Sequence, residues 1–213
     1  MKRMTIGLGC LAISLIALLF LGMLFAVTYN LLVKRSQAVD QQWAQVQNVY
    51  QRRADLIPNL VATVSGAANF EKSTLTEITA ARASVGQVKI DPNQAPNDPA
   101  KLAEFQKAQE QLSSALSRLL VVVERYPDLK ATTSFRDLQA QLEGTENRIT
   151  VERQKFNDAV QKYNTTVKTF PTVMIAGMFG YQVKPYFAAK EGTETPPKVQ
   201  FDFGSPKPAP IKP

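Results

Sequence analysis

The N-terminal apolar segment constrains this chain more than any other feature. Residues 4–33 contain no charged side chain, and a basic pair stands on either side, Lys2–Arg3 before the segment and Lys34–Arg35 after it. A helix needs roughly 20 apolar residues to cross a bilayer core of about 30 Å. The basic pairs and Tyr29 are suitable anchors at the two membrane interfaces. We therefore predict a transmembrane helix over residues 1–33.

Two other roles for this segment fit its length less well. A cleaved secretory signal has an apolar stretch of about 7–15 residues followed by a small-x-small site. This stretch is longer, and residues 25–30 offer only a weak site. A lipoprotein would use Cys10, but almost no apolar residues precede it. We interpret Cys10 as a small apolar residue within the span.

The basic residues do not fix the orientation of the span. Lys2–Arg3 favour a cytoplasmic N-terminus, but Lys34–Arg35 match that charge on the other side. Because the start of the chain resembles a signal anchor, we expect the soluble part to lie outside the cytoplasm.

The distribution of charge argues against a nucleic-acid partner. The chain has 25 basic and 18 acidic residues, but residues 36–181 hold 16 bases and 15 acids. The positive surplus therefore lies beside the apolar segment and in residues 182–213. A nucleic-acid binder would carry its surplus as a patch on the folded domain, so we expect no nucleic-acid partner.

The side chains that most often carry catalysis are missing from this sequence. It contains no histidine, and its one cysteine lies within the apolar segment. These absences exclude catalysis by histidine, cysteine nucleophiles, thiolate metal sites and disulfides in the folded domain. A carboxylate pair such as Glu124 with Glu146 would need an all-oxygen site, and no acidic cluster has the spacing of a known metal loop. We expect no cofactor and no enzymatic activity.

Four segments after the apolar run carry apolar residues at every third or fourth position, which is the spacing of one buried helix face. The segments are 39–64, 70–88, 98–126 and 132–170. Asp98 is a suitable N-cap for the third helix, and residues 132–134 offer caps for the fourth. Pro127 and Pro171 end these two helices.

The link between the first two of these helices has two interpretations. Residues 65–69 include Gly66 and Asn69 and are typical of a turn. A helical pattern can also be traced without a break from residue 30 to residue 88. We favour the turn.

These elements predict an all-α fold. It consists of an N-terminal transmembrane helix (1–33), an antiparallel up-and-down four-helix bundle (34–181) and a proline-rich C-terminal tail (182–213). Seven of the 13 prolines lie in the tail, so we expect it to be extended or disordered, with a short strand-like alternation at residues 199–203. A bundle of about 140 residues can sustain its own core.

Four charged residues are candidates for a structural polar network. Arg53 occupies a core position of the first bundle helix, and Glu146 and Arg153 lie close to the apolar stripe of the fourth. Removing only a carboxylate would strand the buried cation, so Arg53→Met should be milder than Glu146→Leu. A partner-contact role is the alternative. The candidate network is Arg53, Glu124, Glu146 and Arg153.

The number of helix passes predicts where residues 170–187 lie. If the first bundle helix leaves the membrane, four antiparallel passes return the chain to the lipid side. These residues are apolar, aromatic and basic but too few to span, so three roles remain open: lying in the headgroup layer, contacting a neighbouring copy, or plugging the core. The candidate contact residues are Met174, Ile175, Met178, Phe179, Tyr181, Lys184, Tyr186 and Phe187.

Five short motifs stand in order along residues 29–187. They are Tyr29–Val33, Gln51–Val61, Glu124–Ala131, Glu143–Ile149, and the pairs Tyr163–Asn164 and Phe170–Pro171. Together they resemble the LemA family of bacterial membrane proteins. One departure is Asn69–Glu71, since such proteins often carry a histidine before the glutamate.

The resemblance to the LemA family implies a single membrane helix followed by a four-helix bundle, in a bacterial inner membrane. It implies no established catalytic activity. Some relatives are associated with the formation or shaping of internal membranes.

Two functions from different classes agree with these features. The first is structural: a membrane-anchored bundle that self-associates and organises or curves the membrane, with the lipid bilayer and its own copies as partners. The second is an adaptor that presents its bundle face or its tail to a membrane or envelope protein. We favour the structural function.

Overall fold

The computed structural model describes residues 2–67 and 70–188, and all regular structure within these ranges is helical. The helices are α1 (Lys2–Ser65), α2 (Lys72–Gln87), α3 (Pro99–Val123), α4 (Pro127–Ala131), α5 (Thr133–Lys168) and α6 (Thr172–Met178). Most of the predicted tail, including its strand-like segment at 199–203, lies outside the described residues.

Helix α1 joins the apolar segment to the folded part of the chain without a break, and its apolar part is long enough to cross a membrane. Side chains 13–27 are exposed, and burial becomes regular from Leu32 onward. Inside the helix, Pro58 has no N–H to donate to the Ala54 carbonyl. Arg82 of α2 compensates, since its Nε donates to that oxygen at 3.2 Å.

The predicted turn after α1 is confirmed, and the single long helix is wrong. Helix α1 ends at Ser65 and α2 begins at Lys72. The backbone N–H of Ala67 donates to the Val64 carbonyl oxygen at 3.1 Å, which satisfies one of the carbonyls left open at the helix end.

The predicted starts of α3 and α5 are confirmed. Asp98 Oδ1 accepts from the N–H of Ala100 at 2.8 Å, and Pro99 takes the first helical position. Thr132 Oγ1 caps α5 by accepting from the N–H of Phe135 at 3.4 Å. The short helices α4 and α6 are additional to the prediction. Each begins at or beside a proline that ends the preceding pattern, because proline is also favoured in the first turn of a helix.

The long helices pack as α1 along α5 and α2 against α3. Their buried apolar side chains form two clusters, one after the other along the helices. The cluster nearer the apolar segment contains Trp43, whose ring centroid lies 5.6 Å from those of Phe105 and Phe156. The far cluster contains Ile57 and Leu112.

Residues 181–188 form an extended segment, the strap, that packs against the helices. Gly180 has a φ of 71°, a conformation that favours glycine, and turns the chain out of α6. Phe187 is buried with its ring centroid 6.1 Å from that of Trp43. The packed region therefore extends to residue 188, beyond the boundary at 181 that the proline-rich composition predicted.

Candidate functional site

Polar side chains from three helices meet between the two apolar clusters. Arg53 of α1 is 1% exposed, and its Nη1 lies 2.6 Å from Glu146 Oε1 of α5. The same nitrogen donates to Ser113 Oγ of α3 at 2.8 Å. Nη2 donates to the backbone oxygen of Gln109 at 3.3 Å and also to its side-chain oxygen. We call these four residues the polar layer.

The polar layer fixes the alignment of α1, α3 and α5. Each helix contributes to the apolar cluster on both sides of the layer, so sliding one helix would press the guanidinium against apolar side chains. The Arg53 guanidinium also lies over the Tyr50 ring, 5.1 Å from its centroid. Burial raises the pKa of the Tyr50 hydroxyl, and the charges of Arg153 and Arg53 oppose that rise.

The other two residues of the predicted network lie outside the polar layer. Glu124 follows the last residue of α3 and pairs with Lys130 of α4 at 2.5 Å, with both side chains exposed. The Arg153 guanidinium stacks on the Phe187 ring at 4.7 Å, and its Nη2 donates to the Ala188 carbonyl at 3.0 Å. Arg153 therefore binds the strap, and Glu124 links the end of α3 to α4.

Arg53, Glu124, Arg153 and Lys184 contact protein groups that link the helices and the strap. No group of three or more His, Cys, Asp or Glu side chains there is placed to hold a metal ion. In the polar layer, both terminal nitrogens of Arg53 are bonded to protein atoms, and only its buried Nε lacks a partner among the described residues.

Helix α6 lies against α1 where the charge-free segment approaches its end. The ring of Phe179 has its centroid 5.1 Å from that of Tyr29 and 6.1 Å from that of Phe25. Five exposed apolar side chains lie on α6 or within two residues of its ends. We call them the α6 patch: Phe170, Val173, Met174, Met178 and Phe179. Contiguous exposed apolar patches larger than a few hundred Å² are typical of protein or membrane interaction sites.

The eight predicted contact residues fall into two sets. Exposed or partly exposed are Met174, Met178, Phe179, Tyr181 and Tyr186. Buried are Ile175, Lys184 and Phe187. The core-plug prediction therefore fits the buried residues, whereas the exposed ones are available for the headgroup-layer or neighbouring-copy contact, because α6 has one covered face and the strap after it packs inward.

Lys184 was predicted to be a membrane or oligomer contact, but its charged side chain is buried in the protein. Its Nζ lies 3.5 Å from Asp40 Oδ1 and donates to Asn97 Oδ1 at 3.0 Å. The same Asp40 oxygen accepts from the N–H of Ala95 at 3.0 Å. This buried ion pair joins the strap, α1 and the loop before α3, so the ammonium of Lys184 faces protein.

Side-chain amides bind the backbone of the strap, an arrangement that the sequence pattern did not predict. Asn164 accepts from the N–H of Lys184 at 2.8 Å and donates to its carbonyl at 2.9 Å. Asn157, one heptad earlier on α5, makes the same two bonds with Phe187 at 2.9 and 3.2 Å. Gln106 of α3 makes the same two bonds with Ala188, at 3.2 Å from its N–H and at 3.1 Å to its carbonyl. The available signal was the recurrence of Asn beside the α5 stripe.

Tyr163 binds the start of the strap, and Tyr181 is the first residue of the strap. The hydroxyl of Tyr163 donates to the Gln182 carbonyl at 2.8 Å. Burial raises the pKa of Tyr163 to about 12, and Tyr181 and Asp40 add to the rise. Burial also raises the pKa of Tyr181, with further contributions from Tyr29.

These features define a class of protein: a helical chain whose apolar N-terminal helix can span a membrane and continues into packed helices. Within that class, the chain belongs to the LemA family, whose family model matches residues 42–201.

Named relatives match parts of the chain. Magnetosome protein MamQ 2 of Paramagnetospirillum magneticum is 31% identical over 83 residues, which is 39% of this chain and 30% of that protein. MamQ of Magnetospirillum gryphiswaldense is 30% identical over 83 residues, with the same shares of the two chains. Protein LemA of Metamycoplasma hominis is 24% identical over 162 residues, or 76% of this chain and 69% of that protein. The match thus spans less than a third of the magnetosome proteins.

Proposed function

We propose that this chain is a single-pass membrane protein whose helices α1, α2, α3 and α5 form an antiparallel four-helix bundle that self-associates and organises or shapes the membrane. Its partners are the lipid bilayer and further copies of the chain. It acts without catalysis, and its buried charges Arg53 and Lys184 are paired with protein carboxylates.

The observation that carries this proposal is the continuity of α1. The helix runs from residue 2 to residue 65, about 96 Å at 1.5 Å per residue. One unbroken helix therefore links the apolar span to the packed helices. Contacts between the packed regions of neighbouring copies would set the spacing and tilt of their spans, which is how a non-enzymatic protein can organise a bilayer.

Packing supports the four-helix arrangement. Helix α1 lies along α5, α2 lies on α3, and the polar layer joins α1, α3 and α5 at one level. The resemblance to the family favours a role in organising internal membranes, and its relatives include proteins named for the magnetosome.

Sizing the full-length protein tests self-association. In mild detergent, light scattering should show homogeneous particles of several copies with no second protein, and vesicles carrying the protein should change shape in cryo-electron micrographs. A chain of residues 1–38, which keeps the span and lacks the packed helices, is the control and should leave vesicles unchanged. Monomers in both detergent and vesicles would contradict the proposal, and a stoichiometric second protein would favour an adaptor.

We also propose that the span lies in a bacterial inner membrane with the packed helices outside the cytoplasm. Val121 of α3 is highly exposed, so Val121→Cys with Cys10→Ser gives one accessible thiol. An impermeant maleimide should label it in intact spheroplasts. Labelling only after lysis would place the packed helices inside the cell.

A further inference from the structure

We propose that the α6 patch is seated in the headgroup layer of an anionic bilayer, which makes α6 a second membrane contact beside the span. This inference rests on the membrane anchoring of the proposed function and is independent of self-association.

The position of α6 along α1 sets its depth. Residues 4–24 of α1 extend about 32 Å at 1.5 Å per residue, close to the bilayer core thickness of about 30 Å. Phe179 contacts Phe25 and Tyr29, which are the next two aromatic residues along α1. When residues 4–24 fill the core, α6 lies at the membrane–water interface, where aromatic and apolar side chains of short amphipathic segments bind.

The two faces of α6 differ in what covers them. Thr172, Ile175 and Ala176 are buried against the protein, whereas Met174 and Met178 are exposed. The helix has 7 residues, too few to cross a bilayer, so its uncovered side suits burial at the surface of the membrane rather than within its core.

Charge around the patch selects the kind of lipid. Residues 1–39 and 159–188 contain no Asp or Glu. Lys34, Lys162 and Lys168 are exposed, and none forms a salt bridge within the described ranges. Helix α6 begins four residues after Lys168 and contacts Tyr29 through Phe179, which places the end of α5 near the end of the span. Each lysine near an anionic surface strengthens binding about fivefold.

The same charges argue against a second copy as the occupant. An isologous contact between two α6 patches would bring their surrounding lysines face to face, and juxtaposed like charges oppose association. Lipid phosphates have the opposite charge, so the basic surroundings favour a bilayer of anionic lipids. Self-association then uses other surfaces of the helices.

Spin-label accessibility tests the contact in the full-length protein, reconstituted into vesicles of phosphatidylcholine and phosphatidylglycerol. Cys10→Ser removes the native thiol, and Met178→Cys or Val121→Cys supplies a single site. The two native side chains are matched in exposure, 76% and 71%. The label at 178 should collide several times more with oxygen, which enters lipid, than with a water-soluble nickel chelate, and the label at 121 should show the reverse.

Each other result overturns the inference. Equal ratios at both positions would mean that the patch is in water, and a label at 178 shielded from both reagents would mean that protein covers it. Particle size in the same samples reports self-association separately, so either proposal can fail alone.

Spin-labelled lipids test the anionic preference. Wild-type protein should retain labelled phosphatidylglycerol several times more strongly than labelled phosphatidylcholine, and Lys168→Gln should lower this ratio by up to about fivefold. Lys72→Gln, at an exposed lysine at the start of α2, is the matched control and should leave it unchanged. A wild-type ratio of one, or equal losses in the two variants, would overturn the preference.

Discussion

The polar layer predicts a measurable energetic coupling between Arg53 and Glu146. Their nearest atoms are 2.6 Å apart, and the side chains are 1% and 43% exposed. Glu146→Leu removes a charge-assisted hydrogen bond, at a cost of about 1.5–3 kcal/mol. This cost lies below the roughly 3–5 kcal/mol of a fully buried pair, because Glu146 is partly hydrated and Ser113 and Gln109 still accept from the guanidinium.

The reverse substitution has a different cost. Arg53→Met lets the Glu146 carboxylate be hydrated, but the buried side-chain oxygen of Gln109 loses its donor, at about 1–3 kcal/mol. The two single variants should therefore be similarly destabilised, although the sequence alone predicts that Arg53→Met is milder. In the Arg53→Met background, Glu146→Leu should cost less than about 0.5 kcal/mol. The double-mutant cycle then gives a coupling of about 1–3 kcal/mol.

Unfolding of the full-length protein in micelles provides the assay. Trp43 is the only tryptophan and lies in the adjacent cluster, so its fluorescence follows loss of packing in urea or on heating. Each kcal/mol lowers Tm by about 2–4 °C in a chain of this size, which gives roughly 3–12 °C for Glu146→Leu. Glu146→Gln keeps an acceptor oxygen and should be intermediate. Costs that simply add, with a coupling below about 0.3 kcal/mol, would show that the ion pair contributes nothing specific.

Three further predictions concern the strap and α6. Phe187→Ala should destabilise the protein by about 3–5 kcal/mol in urea unfolding, because that ring is buried; an unchanged midpoint would mean that the strap is not part of the core. The pKa of Tyr163 is about 12 in the folded protein, against 10.0 for an ordinary tyrosine, so its stabilisation is complete below pH 10 and is lost as the pH rises towards 12. Tyr163→Phe should flatten this alkaline decline in Tm, and an identical decline in both proteins would contradict the assignment. Met178→Ser, at a 76% exposed side chain, should change unfolding by less than about 0.5 kcal/mol, whereas Ile175→Ser, at 7%, should cost at least about 2 kcal/mol; equal effects in thermal melts would mean that α6 does not sit as described.

Local sequence signals determined the helices and several of their ends. Apolar spacing of three and four residues follows from helix geometry alone, and the caps Asp98 and Thr132 act on N–H groups two or three residues away. The charge-free N-terminal segment likewise needs no partner to be recognised, because its length and composition suffice. The helix α1 and its continuation past Leu32 were therefore predictable.

Only the tertiary structure decided which polar groups meet. Stripe position placed Arg53 in the core and Glu146 close to the apolar stripe, but the predicted network also included Glu124, which pairs locally with Lys130. Which polar side chains pair depends on how helices far apart in sequence are aligned along their axes. The apolar pattern of a single helix carries no information about that alignment.

The strap shows the same division most clearly. The proline-rich composition predicted an extended or disordered tail after residue 181, but could not indicate that Asn157 and Asn164 would hold its first residues or that Lys184 would pair with Asp40. An extended segment has no internal hydrogen bonds, so its position is set entirely by side chains elsewhere in the chain. The sequence by itself therefore determined the long helices and the apolar span, and the tertiary structure decided which faces of α6 and the strap are covered.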